Sequence, residues 1–254
     1  MISIKYLITN YKQKHGRNNF GKITSKFKGG GLKKKYRKLI FNYSNFKNFN
    51  IYALWIKNCY DPYRKAYIIL IKYLKGYKIG YHDYILAPEN LKINDLIYFN
   101  LILEQKIGTI KKLKYWIVTN YICNIEFKPN QGSQLTRSAG TFSLILALDK
   151  KYALLKLPSK EQRLISNNCF VMLGKINIGY LKTKVCLKKA GKKRNLNRRP
   201  KVRGVAKNAY DHPYGGGEGR SRIGKKNVYS SWGKIKFKTS ANRSFKFILL
   251  RKKN

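Results

Sequence analysis

The chain has 254 residues, with 56 Lys and Arg against 10 Asp and Glu, for a formal net charge of +46. A soluble domain of this size ordinarily carries a charge of roughly 2 to 8 in magnitude, and self-repulsion at +46 opposes a compact state standing alone. The balance calls for a polyanion, and counterion release from closely spaced phosphates favours nucleic acid over a membrane or an acidic protein.

Charge is uneven along the chain. Residues 1–60 hold 14 basic residues and no acid, 61–161 hold 16 and eight acids, and 162–254 hold 26 and two acids, Asp211 and Glu218. Two basic arms therefore flank a middle of ordinary composition. In that middle, short runs rich in β-branched and aromatic residues occupy 51–56, 66–74, 84–86, 96–103 and 115–125, then 142–148, 152–157, 163–166 and 170–173. Turn signals such as Asp61-Pro62, Lys75-Gly76, Ala87-Pro88 and Pro158-Ser159 separate them. This cadence predicts a mainly β protein built from small antiparallel barrels or sandwiches. The expected organisation is a basic N-terminal extension over 1–47, β domains over 48–106 and 107–180, and a basic Gly/Arg-rich extension over 181–254. No apolar run is long enough to span a bilayer; the run from Ala66 to Ile71 ends at Lys72.

Within the second β domain, residues 128–141 form a long polar loop with glycines at its bends, suited to a functional loop on a rigid scaffold. The cysteines Cys59, Cys123, Cys169 and Cys186 stand singly, and His15, His82 and His212 are equally dispersed. That spacing gives no zinc site and predicts reduced, mostly buried thiols. From Lys182 to about Asn227 apolar periodicity disappears, and the segment is expected to order on a partner.

The string from Arg203 to Arg220 allows three chemistries. Asp211 beside His212 suggests an orienting carboxylate and a base, but no nucleophile accompanies them. Gly219-Arg-Ser-Arg-Ile-Gly224-Lys225 approaches a phosphate-binding loop, yet Lys226 stands where the metal-binding hydroxyl belongs and neither a strand nor a helix flanks it. RNA insertion fits better. Gly215, Gly216, Gly217 and Gly219 let the main chain approach a phosphate, while Arg220 and Arg222 supply forked donors. Asp211 and Glu218 are expected to stabilise the loop by accepting backbone or arginine hydrogen bonds, with an RNA-bound magnesium as the weaker alternative. No cofactor is expected. Arginine numbers 13 against 43 lysines, yet Arg194, Arg198, Arg199, Arg203, Arg220 and Arg222 cluster here, as bidentate contact requires.

Read together, Gly-Val-Ala, Asp-His-Pro and Gly-Gly-Gly-Glu-Gly-Arg in the 203–220 string resemble the signature of the universal large-ribosomal-subunit protein two family. Gly29-Gly-Gly-Leu-Lys-Lys-Lys-Tyr-Arg37, Tyr84-Ile-Leu-Ala-Pro88 and Gln134-Leu-Thr-Arg-Ser-Ala-Gly-Thr141 agree with it, as do Arg198-Arg-Pro200 and Ser231-Trp-Gly233. The resemblance covers residue 15 to the C-terminus. It implies an oligonucleotide-binding five-stranded barrel followed by an SH3-like barrel, with both extensions in ribosomal RNA. It also implies a structural role in the large subunit without enzymatic activity, in joining the subunits and in shaping RNA near the peptidyl transferase centre during translation. The partners implied are large-subunit rRNA, neighbouring ribosomal proteins and the small subunit, without homo-oligomers.

The RNA-binding residues expected on this basis are Lys33, Lys34, Lys35, Arg37, Arg137, Lys201, His212, Gly215, Gly216 and Gly217, together with the arginines above. Tyr214 stands where the family usually has a second histidine. The alternative function is another nucleic-acid-binding role, such as DNA compaction. Abundant Lys, Asn, Ile and Tyr suggest AT-rich coding, and the start Met1-Ile-Ser-Ile-Lys-Tyr lacks the look of an import presequence. The expected location is a mitochondrial ribosome with the gene inside the organelle, the alternatives being a relict plastid or an AT-rich bacterial cytoplasm.

Overall fold

The computed structural model describes residues 4–46, 51–100, 105–178, 187–218, 223–235 and 247–250. The chain divides into two compact units. One comprises Met1–Tyr11, Lys34–Val185 and Ser244–Asn254, and the other Lys12–Lys33 and Cys186–Arg243. The first 47 residues are thus shared between them.

The first unit opens with β1 (Ile8–Asn10) antiparallel to β2 (Lys35–Arg37). Its first barrel is organised by β3 (Ile51–Cys59), which pairs antiparallel with both β4 (Ile68–Tyr73) and β6 (Leu96–Phe99). Along β3, Ile51, Ala53 and Trp55 are buried and alternate with half-buried neighbours, the period-two pattern of a pleated strand. A register shift between Trp55 and Lys57 then bends it. β5 (His82–Leu86) lies on the far side of β4, and Leu39 forms a parallel bridge to its Tyr84, completing a small barrel of the oligonucleotide-binding type.

Aromatic residues fill the interior, with ring centroids 5.0 Å apart for Phe46–Phe99 and 6.0 Å for Phe46–Tyr73. Tyr43 is fully buried; burial holds its hydroxyl well above the ordinary phenol range, and Asn124 Nδ2 donates to it at 2.7 Å.

A parallel contact of Phe99 with Ile110 carries the sheet into the second, SH3-like barrel. Its strands are β7 (Ile110–Lys112), β8 (Tyr121–Cys123), β9 (Ile125–Glu126), β10 (Ser133–Leu135), β11 (Ser143–Leu148), β12 (Tyr152–Lys156), β13 (Gln162–Ser166) and β14 (Phe170–Leu173). In space the order runs β7-β14-β8-β11-β12-β13, and β15 (Ile248–Leu250) returns to pair with β13. Leu113, Ile122, Ile145, Leu155, Ile165 and Val171 form its core. Cys123 and Cys169 are buried free thiols and Cys59 is half-buried, whereas Cys186 lies outside the described residues. Burial pushes the Cys169 thiol up to about 12, with the Glu126 carboxylate adding to it, so it stays protonated.

Six of the nine expected apolar runs coincide with strands to within two residues, whereas the short strands β1, β2, β7, β10 and β15 fall outside every run, and the run at 115–125 is not one strand. A 3-10 turn at Leu113–Tyr115 precedes it, and Thr119 (φ 75°) and Asn124 (φ 51°) take left-handed backbone that breaks the ladder on either side of β8. The 96–103 run is seen as strand to Phe99, and 101–104 lie outside the described residues.

Candidate nucleic-acid interface

In the first unit, the 128–141 loop is built around a buried carboxylate. Glu126 Oε1 accepts the Gly132 N–H at 3.1 Å, and Oε2 accepts those of Phe170 at 2.9 Å and Asn130 at 3.4 Å. Three backbone donors satisfy the charge and pin the loop to β14. The loop presents exposed Arg137, whose guanidinium lies 4.8 Å over the Phe41 ring and donates to the Ser133 carbonyl. Phe41 carries a second guanidinium at 5.6 Å, that of Arg64, which pairs with buried Asp61. Tyr63, Lys65, Gln134 and Thr136 join both arginines around a cleft of about 640 Å³.

Sequence reasoning singled out Arg137 and missed Arg64 and Glu126. The Asp61-Pro62 pair announced only a turn, and nothing in the spacing shows that this turn faces the loop.

The second unit folds with almost no apolar help. Residues 27–32 lie along 195–199: Lys28 and Arg198 form an antiparallel bridge, the Arg199 N–H donates to the Phe27 carbonyl at 3.0 Å, and that of Leu32 to Asn195 at 3.2 Å. Glycine makes the approach possible. A Cβ on Gly31 would stand 2.7 Å from the Asn197 Cβ. A short helix, α1 (Ala190–Asn195), leads in, exposing Arg194.

Beyond it the 207–216 loop closes on its own backbone. The Gly215 N–H donates to His212 at 2.8 Å, and the Gly216 N–H to Lys207 at 3.1 Å. A Cβ on Gly215 would meet the Asn208 and Lys207 carbonyl oxygens at 2.2 and 2.5 Å, and Gly216 has φ of 85°. Neither position accepts a side chain.

His212 is engaged in this closure. Its ring covers Gly204, where a Cβ would come within 2.5 Å of Cε1, and its Nδ1 accepts the Tyr214 N–H at 3.1 Å. Tyr214 packs beside it, with ring centroids 4.9 Å apart, and its hydroxyl accepts the Tyr229 N–H. Tyr214 thus ties the loop to the 229–235 turn. Asp211 and Glu218 are exposed, and neither carboxylate has a partner among the described residues.

Arg198, Arg199, Lys201, Arg203, Gly216 and Gly217 are exposed here, and Gly215 is half-buried. Arg220 and Arg222 lie outside the described residues, as does most of the Gly219–Lys225 string. The Gly29–Arg37 motif is divided: Lys33 belongs to the second unit, whereas Lys34, Lys35 and Arg37 belong to the first. Lys33 and Lys35 are exposed, and Lys34 and Arg37 are half-buried.

Two small barrels presenting guanidinium groups, with a glycine-closed cationic unit beside them in the chain, make an RNA-binding scaffold protein. The family model described as "Ribosomal Proteins L2, RNA binding N-terminal domain" matches residues 4–99, and "Ribosomal Proteins L2, C-terminal domain" matches 106–233. "Large ribosomal subunit protein uL2c" of Psilotum nudum is 42% identical over 254 residues, covering 98% of this chain and 88% of its own length. The chain belongs to the ribosomal protein L2 family, and is a structural, rRNA-binding constituent of the large ribosomal subunit. The mitochondrial location expected from composition is corrected by this comparison, because the relative is a plastid protein. Richness in Lys, Asn, Ile and Tyr reports AT-rich coding and does not separate one organelle from another. No helix among the described residues is long and apolar enough to cross a membrane.

Proposed function

We propose that the chain serves in a plastid-type ribosome, where it clamps large-subunit rRNA through both units, supports joining to the small subunit, and shapes RNA near the peptidyl transferase centre. In this reading RNA performs the chemistry and the protein acts as a single chain without self-association. Barrels over 48–106 and 107–180 anchor it, and the extensions over 1–47 and 181–254 enter the RNA outside the parts, such as Tyr43, Phe46 and β15, that pack on the barrels. The observation that supports this best is the use made of His212: its Nδ1 accepts a backbone N–H and its ring covers Gly204, which is what a loop-closing residue does. The exposed carboxylates of Asp211 and Glu218 are available for RNA-bound magnesium.

Sedimentation tests the reading. The chain should travel with large subunits after a high-salt wash. Its affinity for isolated rRNA should fall with salt at a log–log slope of about −0.7 to −0.9 per phosphate contact. A flat salt response, or recovery with DNA in place of large subunits, overturns it.

A further inference from the structure

Within the second unit, a cleft of about 420 Å³ opens between the 24–27 segment, the 201–207 segment and the 229–232 turn. Its size falls in the range of small-molecule clefts, roughly 300–1,000 Å³. The lining combines aromatic rings with cations: Phe27, Tyr214 and Trp232 alongside Lys26, Lys201, Arg203 and Lys207, and no carboxylate. Two ring faces already hold ammonium groups, Lys26 Nζ at 5.0 Å from the Trp232 centroid and Lys207 Nζ at 5.8 Å from that of Phe27.

We infer that this cleft receives one nucleotide extruded from ribosomal RNA, its base stacked on an aromatic face and its phosphate held by the surrounding cations. The inference rests on the reading that the second unit binds rRNA, and it deepens that reading by giving one nucleotide a place.

The chemistry selects this ligand. The Phe27 and Trp232 rings are each paired with an ammonium that a phosphate would draw away, leaving an aromatic face open to a base. A cation over a ring contributes weakly at an exposed site, so exchanging it for a charge-assisted contact to phosphate is favourable. An acidic peptide would satisfy the cations and leave the rings unused. A base-paired nucleotide has both faces covered, so only an unstacked one presents a surface to Phe27 and Trp232.

The backbone is prepared for the contact. Phe27 sits at φ of 63°, which costs a bulky residue energy, and the Arg199 N–H fixes its carbonyl at 3.0 Å. Trp232 stands on a turn closed by the Ser230 N–H to Lys234 at 2.8 Å, with Gly233 at φ of 74°. Neither ring depends on an apolar core for its position.

Tryptophan supplies the test. Trp55 and Trp116 are 2% and 3% exposed and Trp232 is 52% exposed, so a change in emission when the full chain binds a large-subunit rRNA transcript reports Trp232. Quenching is expected on binding, together with a zero-length ultraviolet cross-link from Trp232 or Phe27 to a single nucleotide. Trp232→Leu should weaken rRNA binding by roughly 5- to 150-fold, and Trp232→Phe should retain most of it. Quenching and cross-linking are read on the unmodified chain, so they stand even if a variant misfolds.

Unquenched Trp232 in a chain that still binds rRNA, with no cross-link at either ring, overturns the inference and leaves the proposed function intact. Failure of the unmodified chain to bind rRNA overturns the function itself. Saturation of the cleft by a free nucleoside monophosphate at the concentrations where rRNA saturates it would also reject extrusion from RNA.

Discussion

In the barrel unit, Ile51, Ile69, Phe99 and Ile145 are buried to within 1% of full exclusion from water, and two hydrophobic clusters organise the strands around them. In the second unit no hydrophobic side chain among the described residues is buried; Tyr210 is 86% exposed and Phe20 89%. Backbone hydrogen bonds and glycine contacts set the geometry there instead. The first unit carries its own driving force, since apolar burial contributes roughly 25 cal/mol per Å². The second lacks that term and holds a large uncompensated charge, so its stability is tied to the polyanion it meets. One chain thus joins a unit with its own apolar cores to a unit held by backbone bonds, and the second is expected to finish folding against RNA.

The sharpest way to break this contrast is Gly215→Val. In the second unit a side chain at 215 collides with two backbone carbonyls at 2.2 and 2.5 Å, and backbone cannot swing aside as a flexible side chain does. The 207–216 loop should not close, and large subunits should assemble without the chain or stall. Sucrose-gradient sedimentation reads the outcome. Normal incorporation of the variant would show that the loop's shape is imposed entirely by RNA and not by its own contacts.

A smaller effect is expected from Phe46→Ala in the first unit, where burial and not close backbone approach is removed. Phe46 packs on Tyr43, Tyr73 and Phe99, and emptying such a site costs about 3–5 kcal/mol. Without RNA, limited proteolysis of the unmodified chain should spare the barrels while cutting within 187–235. Phe46→Ala should expose the barrels as well. Equal protection of 187–235 in the free chain would erase the distinction between the units.

How much of this could be read from sequence follows the same division. The strands β12 and β14 were legible because apolar alternation is local, and so was the charge asymmetry that marks the two arms. The 203–220 string was legible as a glycine-rich loop, but its glycines were expected to admit a phosphate; that Gly215 is closed in by the Asn208 and Lys207 carbonyl oxygens was not, because close approach leaves no mark of what is approached. The pairing of 27–32 with 195–199 was not, because backbone bonds between distant segments leave no periodicity in either. Arg64 was hidden for a related reason: its value comes from sharing the Phe41 ring with Arg137, a neighbour relation that only the fold creates. Glu126 looked like one acid among eight in the middle of the chain, and burial turned it into the anchor of the 128–141 loop.

The smallest expected effect belongs to His212→Gln, and it decides whether the histidine closes a loop or moves a proton. Glutamine offers Oε1 to accept the Tyr214 N–H that Nδ1 accepts at 3.1 Å, so much of the loop's bonding survives. It gives up the flat ring that covers Gly204, and losing contacts of that kind costs on the order of 1 kcal/mol. Particles carrying the variant should therefore form, at somewhat reduced yield. Glutamine cannot take up a proton near neutral pH, whereas removing a working general base slows a reaction by about 100- to 10,000-fold. Single-turnover peptide transfer on the assembled particles separates the two roles. A loop-closing histidine predicts a rate within about tenfold of the unmodified particle, equivalent to less than about 1.4 kcal/mol in the barrier. A fall of several hundredfold with normal sedimentation would move His212 from scaffold to chemistry, and the contrast between a self-sufficient barrel unit and an RNA-completed one would then have to include a reacting group.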